Sequence, residues 1–160
     1  MLIRPATPED AATIWTIIEP VIRAGETLTL DREMGEAAAL AYWFDTDKEA
    51  FVAEEGGAIL GTHYLRANQT GGGAHVANAG YVTGAATTGR GVARAMGLHS
   101  IEHAKARGFR AMQFNFVVST NARAVGLWQS LGFEIVGRLP GAFDHPVEGF
   151  VDALVMFRTL

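Results

Sequence analysis

Two glycines that stand directly before a helix are the feature that most restricts how this chain can fold. They occur in the segment Thr88-Gly89-Arg90-Gly91-Val92-Ala93, where the residues that follow predict a helix that begins near Arg90. A helix start presents unpaired backbone N–H groups and the positive end of the helix dipole. Glycine lets the backbone approach a ligand closely. The segment therefore predicts a pocket for a pyrophosphate at a helix start.

A second segment, from Asn121 to Phe133, makes this interpretation specific. Together the two segments resemble the GCN5-related N-acetyltransferase (GNAT) family, whose pattern is Gln/Arg-x-x-Gly-x-Gly/Ala followed by Asn-x-x-Ala-x-x-Leu-Tyr-x-x-x-Gly-Phe. The chain departs from it at Thr88, where the family has Gln or Arg, and at Trp128, where it has Tyr. It matches at Gly91, Ala93, Asn121, Ala124, Leu127, Gly132 and Phe133.

Three further segments carry a closer resemblance. The stretches 77–82, 114–121 and 149–153 are similar to fungal acetyltransferases that act on azetidine-2-carboxylate and related proline analogues. The resemblance implies a small polar acceptor with a carboxylate.

Composition limits the remaining possibilities. The 160 residues are 49% hydrophobic and 19% charged, so we expect one folded domain over residues 1–160. Because there are no cysteines, disulfides, thiolate metal sites and a cysteine nucleophile are excluded. A net charge of −4 argues against nucleic acid as the main partner. No apolar run predicts a membrane span or a signal peptide, and we expect a cytoplasmic protein. Dimers are usual in the family, so we also expect a homodimer.

The order of predicted elements is β-α-α-β-β-β-α-β-α-β-β. This predicts the single-domain α/β GNAT fold: a mixed, mostly antiparallel sheet of about seven strands, with about four helices on both faces. A strand is expected from His75 to Val82, a helix over Asn121–Leu131 and a loop over Pro140–Gly149.

The resemblance implies acetyl-CoA as the cosubstrate, and no metal. The amides around Gly89–Ala93 would receive its pyrophosphate. Arg90 and Arg94 would add charge, unless they are ordinary solvated helix residues. By the resemblance, the strand ending at Thr83 splays from the strand over 114–118, and a backbone N–H near Val82 polarises the thioester carbonyl. The expected cofactor contacts are Val82, Thr83, Thr88, Gly89, Arg90, Gly91, Val92, Ala93, Arg94, Asn121 and Trp128.

Three asparagines are the candidate catalytic residues. Asn78 and Asn115 lie on neighbouring predicted strands and would orient an amine or a water, since an amide cannot act as a general base. The alternatives are that Asn78 satisfies its own buried amide and that Asn115 bonds to a neighbouring turn. Asn121 would hydrogen-bond the departing thiolate, cap its helix, or do both.

Candidates for the general base are weaker. His63 and His75 lie on neighbouring predicted strands and could serve as bases, but a lone strand histidine is more often structural. Asp144, His145 and Asp152 are weaker still. The family's tyrosine acid is replaced by Trp128, for which we expect core packing as the main role. Thiolate is a fair leaving group without an acid, because a thiol pKa is near ~8.5.

Two other functional classes remain open. The segment His99-Ser-Ile-Glu102-His103 fits the H-x-x-E-H signature of inverted zinc peptidases. A non-catalytic acyl-CoA-binding or sensor module would explain the missing tyrosine and carboxylate. The favoured prediction is direct transfer of acetyl to a small amine or amino acid. A proline-like amine is the first choice, and primary amines or protein N-termini are the second.

Overall fold

Seven strands and four α-helices follow one another in the predicted order, and the computed structural model describes residues 1–160. The helices are α1 (Ala11–Ala24), α2 (Glu36–Trp43), α3 (Val92–Ala106) and α4 (Ala122–Ser130). The strands are β1 (Leu2–Pro5), β2 (Glu49–Glu55), β3 (Ala58–Ala67), β4 (Val76–Thr83), β5 (Ala111–Val118), β6 (Glu134–His145) and β7 (Gly149–Thr159).

All seven strands form one sheet in the order β1-β2-β3-β4-β5-β7-β6. Every neighbouring pair is antiparallel except β4 and β5, which are parallel. The parallel pair is joined in register only at Val76↔Ala111 and Ala77↔Met112. Beyond those two positions the strands part, so the middle of the sheet has a gap between the end of β4 and β5.

The helices cover the two faces of the sheet separately. Helices α1 and α2 pack on one face, where Ile14, Ile18 and Trp43 form a core with Tyr64 and Val82. Helices α3 and α4 pack on the other face, against apolar residues of β4, β5 and β7. Side chains alternate along a strand, so even-numbered residues of β4 face α1 and α2, while odd-numbered residues face α3 and α4. None of the helices has the length and apolar character required to span a bilayer.

The boundary of α3 lies two residues later than predicted. Gly91 is its N-cap with φ 75°, a left-handed conformation, so regular helix begins at Val92 rather than near Arg90. At its other end, Gly108 takes φ 85°, also left-handed. Glycine adopts both conformations without the Cβ clash that other residues meet.

The predicted loop over Pro140–Gly149 is wrong except at residues 146–148, which form a turn. Strand β6 continues to His145 and pairs with β7 at Phe143↔Val151 and His145↔Gly149. The register shifts between Leu139 and Phe143, which accommodates the turn-forming residues within a strand. Because β6 is at the edge of the sheet, Pro140 can sit in it without breaking the ladder of an inner strand.

Candidate active site

A groove of about 510 Å³ runs between the end of β4, the start of α3 and one side of α4. It is lined by all the predicted cofactor residues except Val82 and Arg90. The sequence predictions from two distant segments therefore converge on one cavity. Its remaining lining residues are Tyr81, Thr87, Arg123, Ala124 and Leu127.

The start of α3 presents free backbone amides to this groove. The first backbone hydrogen bond of the helix runs from the Ala95 N–H to the Gly91 carbonyl, at 2.9 Å. The N–H groups of Val92, Ala93 and Arg94 precede that bond, at positions that an α-helix leaves unpaired. A Cβ on Gly89 or Gly91 would meet no atom within 4 Å, so open space lies in front of both backbones. These residues fit a diphosphate.

The arginines around the groove differ in what they contact. Arg90 forms an ion pair with Glu55 and does not line the groove, which agrees with the solvated-surface alternative. Arg94 lines the groove and donates to the Ser130 hydroxyl at 3.0 Å. Arg123 also lines it, from the first turn of α4. Sequence reasoning missed Arg123, although a basic residue in the first turn after the Asn121 cap was the available signal.

The parting of β4 from β5 was predicted, but the backbone groups that face the gap differ from those expected. The Gly84 N–H donates to the Leu60 carbonyl, and the Asn68 N–H donates to the Val76 carbonyl, both at 2.8 Å. Hydrogen-bonded pairs alternate along an antiparallel ladder, so Val82, opposite Thr62, directs its N–H toward β3. The N–H groups of Tyr81 and Thr83 face the gap instead.

Two motif residues of α4 combine packing with a place in the groove. Trp128 is 7% exposed, and its ring centre lies 4.7 Å from that of Tyr81 and 4.8 Å from that of Phe114. Its expected core packing is present, and one edge still lines the groove. Asn121 caps α4, since its Oδ1 accepts the Ala124 N–H at 3.3 Å.

Asn78 and Asn115 lie on the face of the sheet opposite the groove, beside the gap. The Asn78 amide is buried and donates to the Gln113 carbonyl at 3.0 Å, which bridges β4 and β5 where their backbone pairing stops. The Asn115 amide donates to Asn68 Oδ1 at 2.7 Å and accepts from the Gln113 side chain at 2.9 Å. Both asparagines are thus hydrogen-bonded in the ways that the structural alternatives anticipated. Asn121 is separated from them by the sheet.

His63 is fully buried on the α3 face and is not placed as a base for the acceptor. Its ring stacks between those of Phe51, at 5.1 Å, and Tyr81, at 5.6 Å. Its Nε2 lies 3.2 Å from His99 Nδ1, while its Nδ1 has no hydrogen-bond partner. Burial, with smaller contributions from His99 and His103, lowers the pKa of His63 to about 3.

The other predicted bases either lie away from the gap or are held by hydrogen-bond partners. His75 is exposed and precedes β4, at the end far from Thr83. Asp144 and His145 are near the turn between β6 and β7. The pKa of Asp152 is lowered by the Gly141 N–H, at 2.9 Å, and by Arg138, at 2.7 Å. The positions of His75, Asp144 and His145, and the hydrogen-bond partners of Asp152, argue against the prediction of any of them as the base.

The zinc-peptidase alternative does not fit the contacts. His99 bonds to His63, and His103 Nε2 lies 2.9 Å from Glu49 Oε2. Glu102 is directed to the surface, where it pairs with Lys105 at 2.9 Å. No three His, Asp or Glu side chains form a group that could hold a metal ion.

Comparisons with known proteins identify the family to which this fold and groove belong. The pattern of the Acetyltransferase (GNAT) family matches residues 15–133, so the chain belongs to this family of acetyl-CoA-dependent acyltransferases. A GCN5-related N-acetyltransferase from Kribbella flavida is 41% identical in sequence, with a TM-score of 0.95 over 99% of this chain and 97% of that one. The predicted resemblance and fold class are therefore confirmed.

Two more distant relatives add context. N-acetyltransferase aca1 of Schizosaccharomyces pombe is 31% identical over 104 residues, which cover 61% of this chain. The match spans about half of that protein, 47% of its length. A phosphinothricin acetyltransferase of the GNAT superfamily from Sinorhizobium meliloti, solved in complex with acetyl-CoA, is 21% identical, with a TM-score of 0.86 over 99% of this chain and 88% of that one. At that identity the likeness concerns the fold.

Proposed function

We propose that this protein, as one domain over residues 1–160, transfers the acetyl group of acetyl-CoA directly to the amine of a small molecule. One observation carries the proposal. The groove that begins at the free amides of α3 leads to the gap between β4 and β5, and a polar cluster lies at the same gap on the opposite face. A donor on one face and an acceptor on the other would meet in the gap.

The groove residues hold the donor. The amides of 91–94 receive the diphosphate, with Arg94 and Arg123 supplying positive charge nearby. The amide-rich pantetheine arm lies along the free edge of β4, as a peptide does when it adds to a sheet. Tyr81 and Trp128 form the apolar end of the groove, where the thioester is enclosed.

The transfer step forms one bond and breaks one. The amine nitrogen bonds to the acetyl carbon, the carbon–sulfur bond breaks, and the electron pair leaves with the sulfur as thiolate. The backbone N–H groups of Tyr81 and Thr83 stabilise the negative charge that builds on the carbonyl oxygen. The nitrogen loses its proton to water, and the thiolate takes one. Because the chain has no cysteine, a thioester on the enzyme is excluded.

A proline-like amino acid is the first candidate for the acceptor. Support comes from the segments 77–82, 114–121 and 149–153, which resemble acetyltransferases of proline analogues. Asn78 and Asn115 orient the acceptor from the face opposite the groove. Asn121 donates a hydrogen bond to the sulfur from within it.

The test is an acceptor screen in which acetyl-CoA is incubated with secondary and primary amines, and free thiol is measured. We expect thiol release with a proline-like amine. Asn78→Ala and Asn115→Ala should raise the KM of that amine about tenfold or more, since each removes a hydrogen bond from the cluster. Gln129→Ala, an exposed change on α4, is the control. Unchanged kinetics in both asparagine variants would contradict their assignment.

A second candidate is a module that binds acyl-CoA without turning it over. Trp128 in place of the family's tyrosine favours it, because an indole N–H is not a useful acid. Saturable binding of acetyl-CoA without thiol release across the whole screen would support this candidate. Thiol release with any small amine would reject it. Transfer to a peptide amino terminus alone would instead support a protein N-terminal acetyltransferase.

We also propose a cytoplasmic homodimer, in which the β6–β7 hairpin is the contact surface. Val147 is 81% exposed and Phe150 is 78% exposed, and both are near the tip of this hairpin. Apolar residues grouped at such exposure favour association. Sedimentation should give a mass of two chains, and Phe150→Glu should give one. A wild-type protein that sediments as a monomer at micromolar concentration would contradict the dimer.

A further inference from the structure

Polar side chains from three adjacent strands form a continuous network on the acceptor side of the gap. We call it the acceptor cluster. Arg66 Nε reaches Asn78 Oδ1 at 3.4 Å, and the Asn78 amide crosses to the Gln113 carbonyl. The cluster is made of Arg66 on β3, Asn68 after it, Asn78 on β4, and Gln113 and Asn115 on β5.

Two cations at this cluster share one carboxylate. Arg66 Nη1 lies 3.3 Å from Asp47 Oδ2, and Lys48 Nζ lies 2.9 Å from Asp47 Oδ1. The Lys48 side chain is only 2% exposed, whereas that of Asp47 is 52% exposed. The site therefore carries one uncompensated positive charge beside a carboxylate that water reaches easily. A cation held out of water is costly unless an anion neutralises it, so the arrangement favours an additional anion.

Aromatic rings hold this charge in place. Lys48 Nζ lies 4.5 Å from the ring centre of Tyr42 and 5.6 Å from that of Tyr64. The two tyrosine hydroxyls are 3.1 Å apart. Tyr64 in turn lies against the backbone of Gly80, where a Cβ would come within 2.6 Å of its ring. Gly80 lies on the part of β4 that does not pair with β5. The contact of Tyr64 with Gly80 therefore places the cationic site beside the gap.

Arg66 has N–H donors that its present contacts do not use. Its two side-chain contacts, at 3.3 and 3.4 Å, are both longer than the ~2.7–2.9 Å of a strong charge-assisted hydrogen bond. A guanidinium has five N–H donors in a planar fork that matches a carboxylate. Arg66 is opposite Asn78 in register, at the point where β4 and β5 part. From there to Tyr81 is about 10 Å along the strand, which an arginine side chain and an amino acid together span.

We infer that Arg66 binds a carboxylate of the acceptor, with Lys48 supporting the charge, and so selects amino acids over uncharged amines. This inference rests on the proposed transfer reaction and specifies the chemical class of its substrate. Neither Arg66 nor Lys48 takes part in the bonds that form and break. Arg66 is a specificity-determining residue, and its contribution depends on the negative charge of the acceptor.

The experiment compares acids with their amides. L-Proline, L-alanine and L-phenylalanine are each assayed beside the corresponding amide, with acetyl-CoA and detection of free thiol. The wild-type protein should prefer the acid of at least one pair. Arg66→Gln should lower kcat/KM for that acid about 10- to 100-fold, mainly through KM, because a hydrogen-bonded charge is lost. It should change kcat/KM for the amide, and the KM of acetyl-CoA, less than twofold.

Two further variants keep the result interpretable. Arg66→Lys should restore part of the preference for the acid, because it restores the charge without the planar fork. Arg107→Gln removes another exposed ion pair, 3.2 Å from Glu49, on the other face of the sheet, and should leave the preference unchanged. If Arg66→Gln does not fold, the wild-type preference and Arg66→Lys still decide the matter.

The failures of the two proposals are distinguishable. Thiol release with acids and amides alike, or an equal loss for both in Arg66→Gln, would overturn the carboxylate site and leave the transfer reaction standing. Transfer to amides or non-amino-acid amines alone would do the same. No thiol release with any amine would contradict the transfer reaction, and the carboxylate site with it.

Discussion

The backbone conformation of Gly91 keeps the amides at the start of α3 uncovered in the groove. Its φ of 75° lies in a region that costs other residues ~1–2 kcal/mol, and its missing side chain leaves the helix amides uncovered. Gly108 ends the same helix with φ 85° and equally open surroundings, but outside the groove. Both positions therefore require a left-handed backbone conformation, and they differ in that only Gly91 lines the groove.

Gly91→Ala and Gly108→Ala should lower the free energy of unfolding by similar amounts, ~1–2 kcal/mol each. Only Gly91→Ala should weaken acetyl-CoA, because its methyl group enters the groove. Denaturant unfolding and titration calorimetry measure the two effects. Equal affinity for acetyl-CoA in both variants would mean that the diphosphate does not lie at Gly91.

Asn121 combines capping with a proposed contact to the ligand, and the roles can be separated. Asn121→Ala should cost ~1 kcal/mol of stability, because the Ala124 N–H loses its acceptor. Asn121→Ser keeps a capping oxygen but removes the amide donor. We expect near wild-type thermal stability for Asn121→Ser with a lower kcat. Wild-type kcat in Asn121→Ser would leave Asn121 with the capping role alone.

At this scale the sequence predicted the residues of the groove better than those of the acceptor cluster. Glycines and helix caps affect residues that are close in sequence, so the motifs around Gly91 and Asn121 predicted the groove residues near them. Arg66 joins the acceptor cluster through strand pairing between distant segments, Lys48 lies beside it through Asp47, and nothing local in the sequence marks either residue. The N–H of Val82 was misassigned because the direction of a strand amide depends on which neighbour it pairs with.

A small residue on α3 stands where two side chains from the end of α4 pack against it. A Cβ on Gly97 would come within 2.8 Å of Leu131 Cδ1 and 3.0 Å of Trp128 Cζ3. Gly126, in the interior of α4, has no atom within 4 Å of the same position. Two helical glycines thus have opposite surroundings.

Gly126→Ala should raise the free energy of unfolding by ~0.5–1 kcal/mol, because alanine favours the helix and adds no contact. Gly97→Ala should lower it by ~1 kcal/mol, since overpacking against Trp128 outweighs the same gain. It should also weaken acetyl-CoA, because Trp128 lines the groove. Chemical denaturation gives both stabilities. If Gly97→Ala raised the free energy of unfolding, Leu131 and Trp128 would have to move aside without a cost in stability.

Element boundaries were predicted where glycines clearly mark the end of an element. They were missed where turn-forming residues lie within a strand. The helix predicted over Asn121–Leu131 is present as α4 and ends within one residue of its predicted end, and Gly132 just beyond it has positive φ. The stretch from Pro140 to His145 also carries turn formers, yet it is a strand because β7 supplies a pairing partner. Pairing of that kind is decided by tertiary structure and not by local preference.

The whole molecule contains a column of histidines that links its stability to pH. His63, His99 and His103 follow one another from the core to Glu49 and Arg107 at the surface. Burial and mutual repulsion lower the pKa of His63 to about 3 and lower that of His99 as well. In the unfolded chain a histidine titrates near its ordinary value of ~6.5.

Stability should therefore fall as the pH drops from about 6.5 toward 3. In that window the unfolded chain binds a proton that folded His63 does not, while above it both states are neutral and the contribution vanishes. The loss from His63 is on the order of 2 kcal/mol at pH 5. His63→Phe keeps the stacking between Phe51 and Tyr81 and should flatten the profile.

Unfolding free energies measured between pH 8 and pH 4.5 test this. His75→Phe, at an exposed histidine, should keep the wild-type slope. An unchanged slope in His63→Phe would place the acid sensitivity elsewhere.

The break in the ladder between β4 and β5 has a consequence for the order of events in turnover. Under the proposed function, acceptor and donor would enter from opposite sides of one sheet, so neither would bar the exit of the other. Under the proposed function, CoA and the acetylated amine can dissociate in either sequence. Product-inhibition kinetics should then show each product competing only with the substrate from its own side.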